Sequence, residues 1–148
     1  MSVILTRHAI REKAFQALFA LKSNPDAERE AIYRELLEVP DEESAVIPPY
    51  LEVLVSGVSD KQTEIDAVIE ANLTSRWKLS RLNNTDLIIL RLAIYEMNYI
   101  DDVPAKVALN EALEIAKEFS DDESRKFING VLDPVVEKMP AETEETNE

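Results

Sequence analysis

Arg7, His8, Arg11 and Lys13 crowd one end of the chain, with Glu12 the only acid among them. On a helix, Arg7 and Arg11 are four residues apart and share a face. Neighbouring cations repel one another and contribute little to folding, so their usual use is to meet phosphate. Arginine adds a planar donor fork that suits phosphate oxygens and base edges. The competing reading is a solvated charge cluster with no ligand. A second concentration of chemistry is Lys126-Phe127-Ile128-Asn129-Gly130, which sets a cation, a ring, an amide and a glycine side by side. Lys126 suits a phosphate, and Asn129 suits a base edge or the end of a neighbouring helix. Phe127, like Phe19 near the start, is either a core ring or a platform for an unpaired base, a stack worth about 1–3 kcal/mol. Glycine inside a helix costs about 1 kcal/mol relative to alanine, so Gly130 points to close backbone approach by a helix or a ligand.

Arg91 poses a different problem. It lies inside the apolar run Ile89-Leu90-Arg91-Leu92-Ala93, where an unpaired cation is very costly. Glu96 and Glu111 are the carboxylates expected to hold it, in an ion pair that keeps helices in register. Catalytic constellations are scarce. With no cysteine, disulfides, thiolate zinc sites and cysteine nucleophiles are excluded. The single histidine, His8, leaves no common metal constellation and no histidine-containing triad within the chain. No carboxylate pair stands out from the acidic background. No enzyme activity, metal or cofactor is expected.

The net charge of −14, taken as one number, opposes nucleic-acid binding. Its distribution does not. Residues 1–22 hold Arg7, Arg11, Lys13 and Lys22 against Glu12, a balance of +3. Residues 23–76 carry −9, residues 77–138 carry −4, and the glutamates from Met139 onward add −4. A basic end on an acidic body suits two partners of opposite sign, whereas the bland alternative is acids that only solvate the surface.

The elements that must position these residues all read as helices. At 148 residues the chain makes one domain, or one with two tightly packed halves, over residues 1–139. Seven helices and no strands are expected. The first runs from about Leu5 to Leu21, with Ile10, Ala14, Ala17, Leu18 and Leu21 inward. Asn24-Pro25-Asp26 reads as the start of a second, ending near Leu37 before the loop with Val39-Pro40-Asp41. Pro48-Pro49 opens a long third helix to about Asn72. Thr74-Ser75-Arg76-Trp77 allows one helical turn. Asn83-Asn84-Thr85-Asp86 caps the most apolar segment, Leu87 to about Tyr99, the expected central helix. Pro104 begins the sixth, to about Phe119, and Ser120 with Glu123 forms a capping box for the seventh, to about Met139. Residues 140–148 have little to bury and are expected to be a disordered acidic tail. No apolar run is long enough to span a membrane and no secretory signal pattern is present, so a cytoplasmic protein is expected.

Three stretches in order resemble the NusB family of transcription antitermination factors: Arg11-Glu12-Lys13-Ala14-Phe15-Gln16-Ala17-Leu18-Phe19, Leu90-Arg91-Leu92-Ala93-Ile94-Tyr95-Glu96, and the segment from Pro104 to Asp133. The resemblance implies two helical subdomains around the long apolar helix. It implies an RNA surface that takes in Arg7, His8, Arg11, Lys13, Phe19, Lys126, Phe127 and Asn129. Trp77 with Lys78 and Arg81 matches a W-x-L-x-R-L pattern of relatives, implying that Trp77 packs between the halves and that Arg81 lies near the RNA. Asp86 and Glu123 match acidic positions that meet NusE, a basic small-subunit ribosomal protein, although both also suit helix capping. The function implied is binding of the boxA element of ribosomal RNA transcripts with NusE, so that RNA polymerase, with other Nus factors, passes terminators. Some family members self-associate through the RNA surface, which makes a homodimer a further expectation. Two alternatives stand beside it. One is a domain related to RNA methyltransferases that carry a NusB-like N-terminus, against which the chain offers no glycine-rich cofactor loop. The other is a helical adaptor that binds only protein.

Overall fold

A computed structural model describes residues 5–40, 43, 46–74 and 77–139. The expected acidic tail, 140–148, lies outside these residues, as do Asp41, Ser75 and Arg76. Among the described residues the chain is all-α, with no strand. Its helices are α1 (Arg7–Ser23), α2 (Arg29–Leu36), α3 (Pro49–Asp60), α4 (Gln62–Ala71), α5 (Asn84–Tyr99), α6 (Ala105–Phe119) and α7 (Asp122–Glu137), with a 3-10 turn at Leu79–Arg81. They form two compact units, one ending at Asp60 and the other beginning at Lys61.

In the first unit α1 packs against α2 and α3. Its buried stripe is Ile10, Ala14, Phe15, Ala17 and Leu18, at the spacing that lays one helical face on a core, and Leu51, Leu54, Val55 and Val58 of α3 are buried with it. Tyr33 of α2 donates its hydroxyl proton to Glu52 of α3, and Arg29 reaches the other oxygen of that carboxylate at 3.1 Å. Burial, and then the Glu52 carboxylate, push the Tyr33 hydroxyl far above the usual tyrosine range, so it stays a donor.

The second unit is built on α5, which contacts α4, α6 and α7. Every residue from Asp86 to Met97 is buried, as the all-round apolar pattern predicts for a central helix. Asn83 caps it by accepting a hydrogen bond from the Asp86 N–H at 2.8 Å.

Three boundaries differ from expectation, each for a local reason. Asn24 does not start α2. It ends α1, donating its N–H to Ala20, and its carbonyl closes a turn with Ala27, so α2 begins at Arg29 without a side-chain cap. The long third helix is two helices, because the chain leaves helical geometry at Lys61 (φ −106°, ψ 16°). Just before the break the Ser59 hydroxyl donates to the Val55 carbonyl at 2.9 Å, a back-bond that bends helices. Ser120 does not cap α7. It is extended and ends α6, while Asp121 takes the N-cap position and accepts the Ser124 N–H at 2.9 Å.

Candidate functional site

The cations at the start of α1 separate by burial. Thr6 caps the helix by accepting the Ala9 N–H at 3.0 Å, which fixes the first turn that carries them. Arg7 is exposed, and its guanidinium carbon stands 3.7 Å from the centroid of the Tyr50 ring. His8 is half-buried, its Nε2 3.2 Å from Glu12 Oε2, and Lys13 is half-buried one turn further on. Arg11 departs from expectation. It is 5% exposed and has interactions of its own within the protein, so it is not a second surface cation beside Arg7. The four-residue spacing puts both arginines on neighbouring turns, but a face that carries Ala14 and Leu18 next is a buried face. Phe19 is half-buried and meets Phe15 edge-on at 6.1 Å, a core ring with one side outward.

In the second unit α7 presents Lys126, Asn129 and Gly130 to solvent, with Phe127 half-buried between them. Trp77 lies against Phe127, ring centroids 5.4 Å apart and planes at 49°. Within the second unit the Trp77 ring rests on Phe127 and is 47% exposed. Lys78 and Arg81 follow it, both exposed. Of the two approaches expected at Gly130, that of a neighbouring helix is not found: beyond its own stretch of α7, no atom comes within 4 Å of where its Cβ would stand. No helix approaches it, and the space beside the backbone is open.

Arg91 is held by a carboxylate that the sequence did not single out. Its Nε and a terminal nitrogen donate to the two oxygens of Asp66 at 2.9 and 3.0 Å, a bidentate fork joining α5 to α4. Neither Glu96, buried on α5, nor Glu111, half-buried on α6, is this partner; both have interactions of their own. Asp66 lies twenty-five residues upstream and is one acid among several on α4, so only the fold selects it. Polar faces of helices give no such pairing in one dimension.

Asp86 and Glu123 lie at the starts of α5 and α7 but differ in exposure. Glu123 is exposed; Asp86 is 7% exposed, and its Oδ1 has no hydrogen-bond partner. Burial first, and then the charge of Asp121, raise the Asp86 carboxyl above its usual range, against hydrogen bonds from Ser124 and Asn83 that lower it. Among the described residues no group of histidines, cysteines and acids is placed to hold a metal ion, and no helix is long and apolar enough to cross a membrane.

The NusB family model matches residues 8–137, nearly all that is described here. The chain belongs to the NusB family. The transcription antitermination protein NusB of Lactiplantibacillus plantarum is 56% identical over 135 residues, covering 91% of this chain and 97% of that protein. The NusB of Enterococcus faecalis is 47% identical over 144 residues, covering 93% and 94%. Among solved structures, NusB of T. maritima superposes with a TM-score of 0.79 at 30% identity, over 94% of this chain and 96% of that one. A NusB solved with NusE and double-stranded RNA shares the fold at a TM-score of 0.74 and 22% identity, over 90% and 97%.

Proposed function

We propose that this protein is a cytoplasmic, non-enzymatic transcription antitermination factor that binds the boxA element of nascent ribosomal RNA together with NusE. The observation that carries this is the 56% identity, over nearly the whole of both chains, to a protein named for transcription antitermination. The chain's own charge pattern supports it. An exposed arginine opens α1 on an otherwise acidic protein, and α7 exposes Lys126 and Asn129, one turn apart, beside the half-buried ring of Phe127. Phosphate contacts position an RNA, while stacking and amide contacts read its unpaired bases.

In this proposal Arg7, His8, Lys13 and Phe19 of the first unit and Arg81, Lys126, Phe127 and Asn129 of the second meet RNA, and Arg11 braces α1 from within. Asp86 and Glu123 mark the side that receives NusE, a basic ribosomal protein that an acidic surface steers inward. The other Nus factors and RNA polymerase join through the assembled complex, and self-association of free protein would compete with RNA. The test is titration of a labelled boxA RNA with the protein alone, with cognate NusE alone and with both, at several salt concentrations. Binding that needs both proteins and weakens with salt is the expected outcome. No salt-sensitive RNA binding in any mixture would instead favour an adaptor that binds only protein.

A further inference from the structure

We propose that Trp77 is a stacking site for an unpaired RNA base, completed by Phe127 beneath it and by the open ledge at Gly130. The inference rests on the RNA reading above and adds to it a residue that the family pattern places in packing.

Three independent features of the second unit converge on it. First, Trp77 is 47% exposed although tryptophan is the side chain with most to gain from burial. The ring is not loose, because the tilted contact with Phe127 at 5.4 Å braces it while nearly half of it stays exposed. A braced ring loses little further freedom when a flat ligand covers it. Second, Phe127 and Gly130 are three residues apart on α7 and therefore neighbours on one face. A Cβ at Gly130 would touch nothing, so no packing within the protein calls for the glycine. A bare backbone next to an aromatic pair is a place where another backbone, here a sugar-phosphate chain, comes close. Third, Lys78 and Arg81 follow Trp77 and Lys126 precedes Phe127, all three exposed. On α7 the acids Asp122 and Glu123 lie a turn before Lys126, and the exposed Asp133 lies a turn beyond Asn129 and Gly130, so the cations that flank the rings are Lys126, Lys78 and Arg81. Rings flanked by cations match single-stranded nucleic acid, in which each base carries a phosphate and exposes a π-face.

Trp77 is the only tryptophan in the chain, so its emission reports on this position alone. The experiment follows that emission while a short single-stranded boxA RNA is added to the preformed complex of full-length protein and cognate NusE. The Trp77→Phe complex serves as the blank for tryptophans of NusE, and anisotropy of labelled RNA reports binding separately. A series of RNAs, each with one nucleotide made abasic, tells base from phosphate.

RNA is expected to quench Trp77 in step with anisotropy, and one abasic position should abolish the quench. Trp77→Leu should weaken binding about tenfold, within the range of roughly 5- to 150-fold spanned by loss of one stacked base, and Trp77→Phe much less. The critical abasic RNA should bind parent and Trp77→Leu complexes alike. If Trp77→Leu fails to fold by circular dichroism, the quench and the abasic series on the parent still decide. Full binding with unchanged emission and an unimpaired Trp77→Leu variant overturns the proposal and leaves the RNA reading intact. A quench that no abasic position removes, or one produced by NusE before RNA is added, also overturns it, the latter in favour of a protein contact. Absence of any RNA binding by anisotropy overturns both.

Discussion

Arg7 lays its guanidinium on the ring of Tyr50, 3.7 Å from the centroid, and so ties the start of α1 to the start of α3. A cation over a ring face is held by the ring's quadrupole, which does not consume the N–H donors that would meet a phosphate. An exposed arginine ordinarily gives up much rotamer freedom on meeting a phosphate, and here the ring has already confined it.

Arg7→Ala should therefore weaken RNA binding several-fold with no material change in thermal midpoint, and should flatten the salt slope of log K by about 0.7. Tyr50→Leu should weaken binding less, and should cost nothing further once Arg7 is alanine. A double-mutant cycle on affinity checks this. Additive losses would mean that Tyr50 meets the RNA itself, and unchanged affinity and slope for Arg7→Ala would remove this end of α1 from the RNA surface.

The fork between Arg91 and Asp66 predicts a stability effect with no binding component of its own. The side chains are 8% and 18% exposed, so neither charge is well solvated once alone. Arg91→Ala should destabilise by about 3–5 kcal/mol, and Asp66→Ala by a similar amount because it strands a buried guanidinium. Replacing both with apolar residues of similar volume should recover much of the loss. Denaturant melts of the four proteins test it. A midpoint for Arg91→Ala within a degree or two of the parent would contradict the burial of this pair.

These residues also mark how far the chain could be read in one dimension. The helical period of α1, α5 and α6 and the cap at Asn83 were legible, because each is set by neighbours within a few residues. Helix ends were harder where two polar residues compete, as when Asp121 displaced Ser120 at the start of α7. The break at Lys61 has no proline or glycine to announce it; a serine back-bond precedes it. At the candidate site the types were legible and the surroundings were not. Arg11 and Arg7 look alike in sequence and differ by burial, and the partner of Arg91 is chosen by tertiary packing.

Gly130 sits inside α7 with open space around it, so alanine there meets no clash. Gly130→Ala should stabilise the protein by about 1 kcal/mol, through the lower backbone entropy of the unfolded chain. Thermal or urea melts measure this directly. A loss of stability would mean that the glycine relieves a strain not visible in its surroundings. RNA affinity, measured on the same variant, should fall if the sugar-phosphate chain lies on that ledge.

The acids at the starts of α5 and α7 make the last prediction, in which pH and partner binding are separable. The Asp86 carboxyl is raised by burial, so ionising it costs more in the folded chain than in the unfolded one. That penalty is absent below the unfolded value and complete above the folded one. Measured against Asp86→Asn, the parent should therefore gain stability as pH falls through the raised value, and the two melting curves should draw together in acid. Glu123 is exposed and carries the outward charge. Glu123→Lys should leave stability almost unchanged and slow association with basic NusE, more at low salt than at high. The pair Asp86→Asn with Glu123→Lys should weaken NusE binding further, because it also removes the negative charge of the Asp86 carboxylate from the start of α5. RNA binding by the isolated protein should not fall, since positive charge is added, whereas RNA binding in the presence of NusE should fall through linkage. Titrations of NusE alone, and of RNA with NusE present, decide the matter. A double variant that binds NusE as tightly as the parent at low salt would confine both acids to their helix ends and place the partner surface elsewhere.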